Sequence, residues 1–175
     1  MFEFIVDFLG SAGYLGVFLL MALENIFPPI PSEMIMPFAG FIVARGDLGL
    51  VGVLLAGTAG SVLGTLPWFY AGKAFGHERL RRLSARWGQW LTVTPDEIDK
   101  SLATFEKHGT KAVLFGRLIP AIRTLISIPA GIAEMRLLPF LGWSTVGSLV
   151  WCSILTGAGF VLEANYEAVA KYVDP

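Results

Sequence analysis

Four charged residues stand in stretches that are otherwise apolar and interrupted by proline. Arg117 and Arg123 lie in residues 115–131, FGRLIPAIRTLISIPAG, where the only other polar side chains are Thr124 and Ser127. Glu24 and Glu33 lie in residues 23–40, LENIFPPIPSEMIMPFAG. A guanidinium is a planar fork of donors suited to bidentate binding of phosphate or carboxylate. A poorly solvated carboxyl group can hold and release a proton. Charged side chains at membrane depth are costly, face protein or a water-filled cavity, and usually pair. Two readings of these residues therefore stay open together: a structural ion pair between the acidic and basic stretches, and a site where the arginines hold an anion. For Glu33 there is also a local reading, since Ser32-Glu33 directly after Pro31 has the chemistry of a helix start.

The elements that must position these groups are short. Prolines at 28, 31, 120 and 129 break the two stretches, so neither forms one continuous helix. Residues 13–27 and 33–44 are apolar runs; fifteen helical residues rise about 22 Å, short of a hydrocarbon core of about 30 Å. Each pair of short segments reads as a re-entrant hairpin, because irregular backbone at membrane depth is tolerated only under a cover of protein. An alternative lets residues 4–27 cross the membrane fully. Each broken stretch leads, through a polar turn (Arg45-Gly46-Asp47, then Glu134-Met135-Arg136), into a long apolar run: 48–75, with no charge before Lys73, and then 137–162. Those runs are long enough to span. Pro67 is expected to kink the first of them, and Gly60-x3-Gly64 to let a neighbouring helix approach closely.

The whole chain has 175 residues, 54 % hydrophobic and only 15 % charged, against about a quarter charged in soluble domains. We read it as one all-α integral membrane domain over residues 1–175. It consists of repeat one (13–75), an amphipathic linker (76–111), repeat two (112–162) and a tail (163–175). Each repeat crosses once in net terms, so the second starts on the side where the first ended, and the repeats are inverted. Two broken apolar segments in corresponding halves point to a transporter's binding site.

Nine Lys/Arg (Lys73, Arg79, Arg81, Arg82, Arg86, Lys100, Lys107, Lys111, Arg136) lie on the linker side, and two (Arg45, Lys171) on the other. The positive-inside rule puts the linker in the cytoplasm of a multi-pass protein of the inner (plasma) membrane. Its basic residues 77–90, with Trp87 and Trp90, fit a helix lying on an anionic surface. Thr94 is the expected N-cap of a following helix that stops near Gly109. Glu3 and Asp7 leave no basic n-region, so no cleavable signal peptide is expected. No metal or other cofactor is expected: His77 and His108 lack a second ligand at helical spacing, and Cys152 is a small packing residue.

At Glu24-x3-Pro28-x2-Pro31-x-Glu33 and Phe115-Gly-Arg117-x2-Pro120-x2-Arg123 the chain resembles the DedA family of membrane proteins, whose core is the SNARE-associated or VTT domain. Ala130-Gly131-x3-Met135-x4-Phe140 and Gly64-x7-Gly72-Lys73-x2-Gly76 also match, and the resemblance covers roughly residues 12–162. It implies two facing re-entrant hairpins and movement of polyprenyl phosphates, such as undecaprenyl phosphate, or phospholipids between leaflets, with proton coupling in some members. Many members have an Asp and, four residues on, a Tyr where this chain has Thr65 and Phe69. Many also carry a further C-terminal span, which this sequence is not expected to contain. The expected function is therefore a lipid-phosphate flippase, not an enzyme. Arg117 and Arg123 would bind the head group, with Glu24 and Glu33 as proton-coupling or ion-pairing residues. Its partners would be membrane lipids and an anionic lipid head group, with no nucleic acid, and the glycine-rich spans would permit a homo-oligomer. Competing functions are a proton-coupled exporter of a small solute, an intramembrane phosphatase and a membrane scaffold. At least one of Glu24 and Glu33 is expected within reach of Arg117 or Arg123 near the bilayer midplane.

Overall fold

The computed structural model describes residues 2–27, 32–91, 95–120 and 122–173, and all of its regular elements are helices. In chain order they are α1 (Phe2–Ile26), α2 (Ser32–Ala44), α3 (Leu50–Leu91), α4 (Pro95–His108), α5 (Lys111–Arg117), α6 (Ser127–Ile132) and α7 (Leu137–Val173). Thr94, Pro28 and Pro31 lie outside the described residues, as do most side chains of the basic stretch 77–90.

Among the described residues, two stretches are long and apolar enough to cross a membrane, Leu50–Gly76 and Leu137–Glu163. Their outward residues are mostly apolar, among them Val51, Leu55, Leu63, Leu149, Ile154 and Val161, while Thr58, Ser61, Thr65, Ser144, Ser148, Thr156 and Glu163 are buried. That inversion of the soluble pattern is what a lipid solvent selects. Ala12–Ile26 and Glu33–Ala44 are shorter apolar helices. Gly13, at φ 54° and ψ −129°, turns α1, so residues 2–26 do not form one straight helix. Only glycine reaches such angles cheaply.

The departure from helical angles in α3 falls at Gly76 (φ 66°), not at Pro67, which stays within the helix. In this way the apolar span is separated from the basic residues that follow. Pro129, expected as a hairpin break, is corrected: it sits in the first turn of α6, where a missing N–H leaves no intrahelical bond unmade. Pro120 does lie in the non-helical stretch between α5 and α6.

Glycines set how closely the helices approach. Gly60 and Gly64 of α3 bring the backbone of α1 against them at Phe18 and Ala22. Gly40 of α2 abuts the backbone of Thr156 on α7, and Gly159 of α7 abuts Pro37 of α2. The second half repeats this contact: Gly131 of α6 abuts Phe69 of α3, and Gly72 of α3 abuts Ile128 of α6. The first arm of each broken segment thus packs on the span of its own half (α1 on α3, α5 on α7), and the second arm on the span of the other half. A side chain at any of the four reciprocal glycines would displace backbone.

Two apolar clusters fill the bundle. Val17, Met21, Ile35, Met36, Val53 and Cys152 form one; Phe69, Phe105, Val113, Ile126, Met135 and Phe140 belong to the other. Phe69 stacks on Phe140 at 4.4 Å between ring centres. Val53 and Cys152 share one cluster, Ser61 meets Ser148, and Phe69 meets Phe140 in the other cluster, so α3 and α7 run antiparallel. Ser61 and Ser148 lie between the clusters along each helix.

Candidate functional site

The polar layer between the two clusters is built around Arg117 and Arg123. Arg117 ends α5, and its guanidinium points back across α3 and α7. Its Nε donates to Ser148 Oγ (3.0 Å), and Nη2 donates to Ser61 Oγ (3.2 Å) and to the Ser61 carbonyl (3.3 Å). Nη1 donates to the carbonyl of Arg123 (3.2 Å). The six-residue spacing now has a physical reason. Backbone bonds from Ile122 and Arg123 to the Ile119 carbonyl wind the stretch after Pro120 into turns. Those turns bring the Arg123 carbonyl under the Arg117 guanidinium.

Arg123 forms a buried ion pair with Glu24 through Nη2 and Oε1. Its guanidinium also lies 5.7 Å from the ring centre of Trp151, a cation–π contact. The other Glu24 oxygen, Oε2, accepts from Asn25 Nδ2 (2.8 Å), which also donates to Ser61 Oγ (3.2 Å) and to the Met21 carbonyl (3.0 Å). Trp68 Nε1 donates to the Asn25 carbonyl (2.9 Å). Ser148 Oγ donates to Ser61 Oγ (3.3 Å). One connected network therefore runs Arg123–Glu24–Asn25–Ser61–Arg117–Ser148. It joins α1, α3, α5, α7 and the turn after Pro120.

All six residues are almost fully buried, with Glu24 at 3 % exposure, Arg117 at 2 % and Arg123 at 6 %. Ser61 and Ser148 lie eleven residues into their respective spans, about 16 Å from those ends. The network thus sits near the middle of both.

Its charge does not balance. Arg123 meets a carboxylate, but the acceptors that meet Arg117 are neutral: two serine hydroxyls and two backbone carbonyls. Two guanidinium groups against one carboxylate leave the layer with an excess positive charge in surroundings of low polarity. Such a layer attracts an anion, and guanidinium forks with hydroxyls beside them match the oxygens of a phosphate or carboxylate.

The expected acidic partner splits in two. Glu24 reaches the arginines; Glu33 does not, being exposed in the first turn of α2. Glu33 as a partner of the arginines is corrected accordingly: an acid in a helix's first turn is favoured by the helix dipole, with no buried cation needed. Thr65, at the family's Asp position, is fully buried and its hydroxyl donates to the Val62 carbonyl (2.6 Å), a bond within its own helix.

Sequence reasoning missed Ser61, Ser148, Trp68 and Trp151. The serines stand among glycines and alanines of the spans, where small residues ordinarily serve packing. Asn25 carried a signal, since it stands beside Glu24 in an apolar run.

A family model described as the VTT domain matches residues 30–161. The chain belongs to the VTT-domain family. The match covers both arginines and begins just after Glu24. A protein of Lactococcus lactis (strain MG1363) called "Alkaline phosphatase-like protein" is 44 % identical over 173 residues, 98 % of this chain and 81 % of the relative. "Undecaprenyl phosphate transporter A" of Staphylococcus aureus is 34 % identical over 149 residues, covering 85 % of this chain and 73 % of that one. The Bacillus subtilis protein of the same name is 30 % identical over 165 residues, 94 % and 79 % of the two chains. No solved structure matches this chain.

Proposed function

We propose that this VTT-domain membrane protein carries a phosphate-bearing lipid such as undecaprenyl phosphate or a phospholipid between the leaflets of the plasma membrane. The observation that carries the reading is the buried layer of two arginines against one carboxylate. The names of the S. aureus and B. subtilis relatives favour a polyprenyl phosphate. Arg117 and Arg123 hold the phosphate oxygens, and Ser61 and Ser148 add hydroxyl donors. Glu24 is paired with Arg123. An incoming phosphate competes with it, and a proton arriving on Glu24 would release Arg123 for the head group. The lipid tails stay in the bilayer, so only a head-sized opening between the arms is needed.

The reciprocal glycine contacts support an inverted repeat of two re-entrant hairpins, each with one arm on the other half's span. Rocking one half against the other would open the central layer first to one side and then to the other. The excess of Lys/Arg in residues 73–111 supports a cytoplasmic position for that segment, and the two apolar spans on either side of it support a multi-pass protein.

The deciding experiment is leaflet-resolved transport of undecaprenyl phosphate and of phospholipids in liposomes containing only this protein. Protein-dependent movement that is lost in Arg123→Lys supports the reading; movement no faster than in protein-free liposomes overturns it.

A second reading, an intramembrane phosphatase, is favoured by the name of the Lactococcus relatives. The same arginines would then hold a phosphoryl group for hydrolysis. Release of inorganic phosphate from the lipid in the same liposomes separates the two.

A further inference from the structure

Span α7 carries a second polar feature that the arginine layer does not use up. Ser144, Ser148, Cys152 and Thr156 recur every four residues and are all buried; Glu163 continues the same face two turns on. From Ser144 to Glu163 the row is about 28 Å long, close to the full hydrocarbon thickness.

Hydroxyls in a membrane helix normally satisfy themselves by donating to the carbonyl four residues back. The lipid-facing ones on α7 do so: Thr145 donates to the Leu141 carbonyl (2.8 Å) and Ser153 to that of Leu149 (2.7 Å). The buried ones behave differently. Among the described residues, Ser144 Oγ and Thr156 Oγ1, each at 0 % exposure, have no protein partner. Glu163, 3 % exposed, accepts from Arg45 Nε (2.9 Å) through Oε1, while its Oε2 meets no donor among the described residues. Arg45 itself is half-exposed and lies over the Phe41 ring, at the end of α2. Unpaired polar atoms inside a bundle are costly unless water meets them, and a buried water needs two or more such partners.

We propose that this face of α7 is a water-binding path. It opens at the Arg45–Glu163 pair, runs past Thr156 and Cys152, and reaches the arginine layer at Ser148. Its ligand is a file of water molecules, held by the Glu163 carboxylate, the Thr156 hydroxyl and the Ser148–Arg117 group. The tight point is Cys152, the least polar member of the row, which also belongs to an apolar cluster. The use of the path in transport, to bring water or protons to the head-group site, rests on the function proposed above; its hydration does not.

Cys152 is the only cysteine of the chain, so its S–H group is a built-in probe. The experiment measures exchange of that S–H to S–D in D2O by infrared spectroscopy, on wild-type protein in liposomes. The reference is Val150→Cys in a Cys152→Ser background, because Val150 faces lipid. Cys152 is expected to exchange about tenfold faster than the lipid-facing reference or more, as a group in contact with water does. Thr156→Val, which keeps the shape and removes the hydroxyl, is expected to slow Cys152 by about the same factor. Ser144→Ala lies beyond the arginine layer from Glu163 and is expected to leave the rate unchanged. Exchange at Cys152 no faster than at the lipid-facing thiol overturns the proposal, and needs no folded Thr156→Val variant to do so. Fast exchange untouched by Thr156→Val overturns the route through the Glu163 end. Neither readout depends on whether the protein carries a lipid.

Discussion

The ion pair between Glu24 and Arg123 can be broken from either side, and the two results should not add. Glu24→Gln keeps the side chain's size and its bond to Asn25 but leaves two buried guanidinium groups with no anion between them. Removing one partner of a buried pair costs about 3–5 kcal/mol, because the other charge stays desolvated and unmatched. Arg123→Gln strands Glu24 in the same way and should cost a similar amount. The double change removes both charges. It leaves Arg117 with the Ser61 and Ser148 contacts it already makes, and the Arg123 carbonyl still in place. The double variant should therefore lose much less than the sum of the two single losses, with a coupling energy at the upper end of the usual range of about 0.5–3 kcal/mol. Each variant would be unfolded with SDS in mixed micelles and followed by far-UV circular dichroism. Losses that add to within about 0.5 kcal/mol would show that the two side chains act independently. The same cycle run on Glu24 and Arg117 should be nearer additive, since Arg117 meets no carboxylate. If that pair coupled more strongly than Glu24 and Arg123, the assignment of partners would be wrong.

Arg123→Lys keeps the charge and loses the fork, so lipid-phosphate transport in liposomes should fall at least about tenfold while the protein stays inserted and folded; transport equal to wild type would leave charge alone as the requirement. Gly131→Val would push a branched side chain into the backbone of Phe69 on α3. It should destabilise by about 1–3 kcal/mol or more in the same SDS titration, whereas Gly142→Ala, at an open position, should be close to neutral. Lys107→Cys, placed on the exposed face of α4 in a Cys152→Ser background, should resist an impermeant thiol reagent added outside intact cells and react only after lysis. Ready labelling from outside would reverse the orientation.

The sequence by itself determined the solvent. Uncharged runs of 25 residues or more are long enough to cross a bilayer, and most outward side chains of α3 and α7 within the spans are apolar, as that requires. It also marked the arginines, because a guanidinium in an apolar segment is too costly to be incidental. Gly109 as a helix stop was legible too, since α4 ends at His108 and Gly109 takes φ 59°. Those signals are local: they depend on a residue's type and its near neighbours.

What pairs with what was decided only by the tertiary structure. Glu24 and Glu33 both stand beside prolines in one acidic stretch, yet only Glu24 meets an arginine. The choice follows from α1 lying against α3 through Gly60 and Gly64, which delivers Glu24 and Asn25 to Ser61. Ser61 and Ser148 looked like packing residues and became ligands of Arg117 because the antiparallel spans set them face to face, 87 residues apart in the chain. Pro67 and Pro129 looked like breaks and are accommodated within helices, while Gly76 breaks its helix, because a proline's effect depends on which carbonyl and turn it meets. A buried charge is visible in one dimension. Its partner is fixed by packing between segments distant in sequence, and no local pattern encodes that distance.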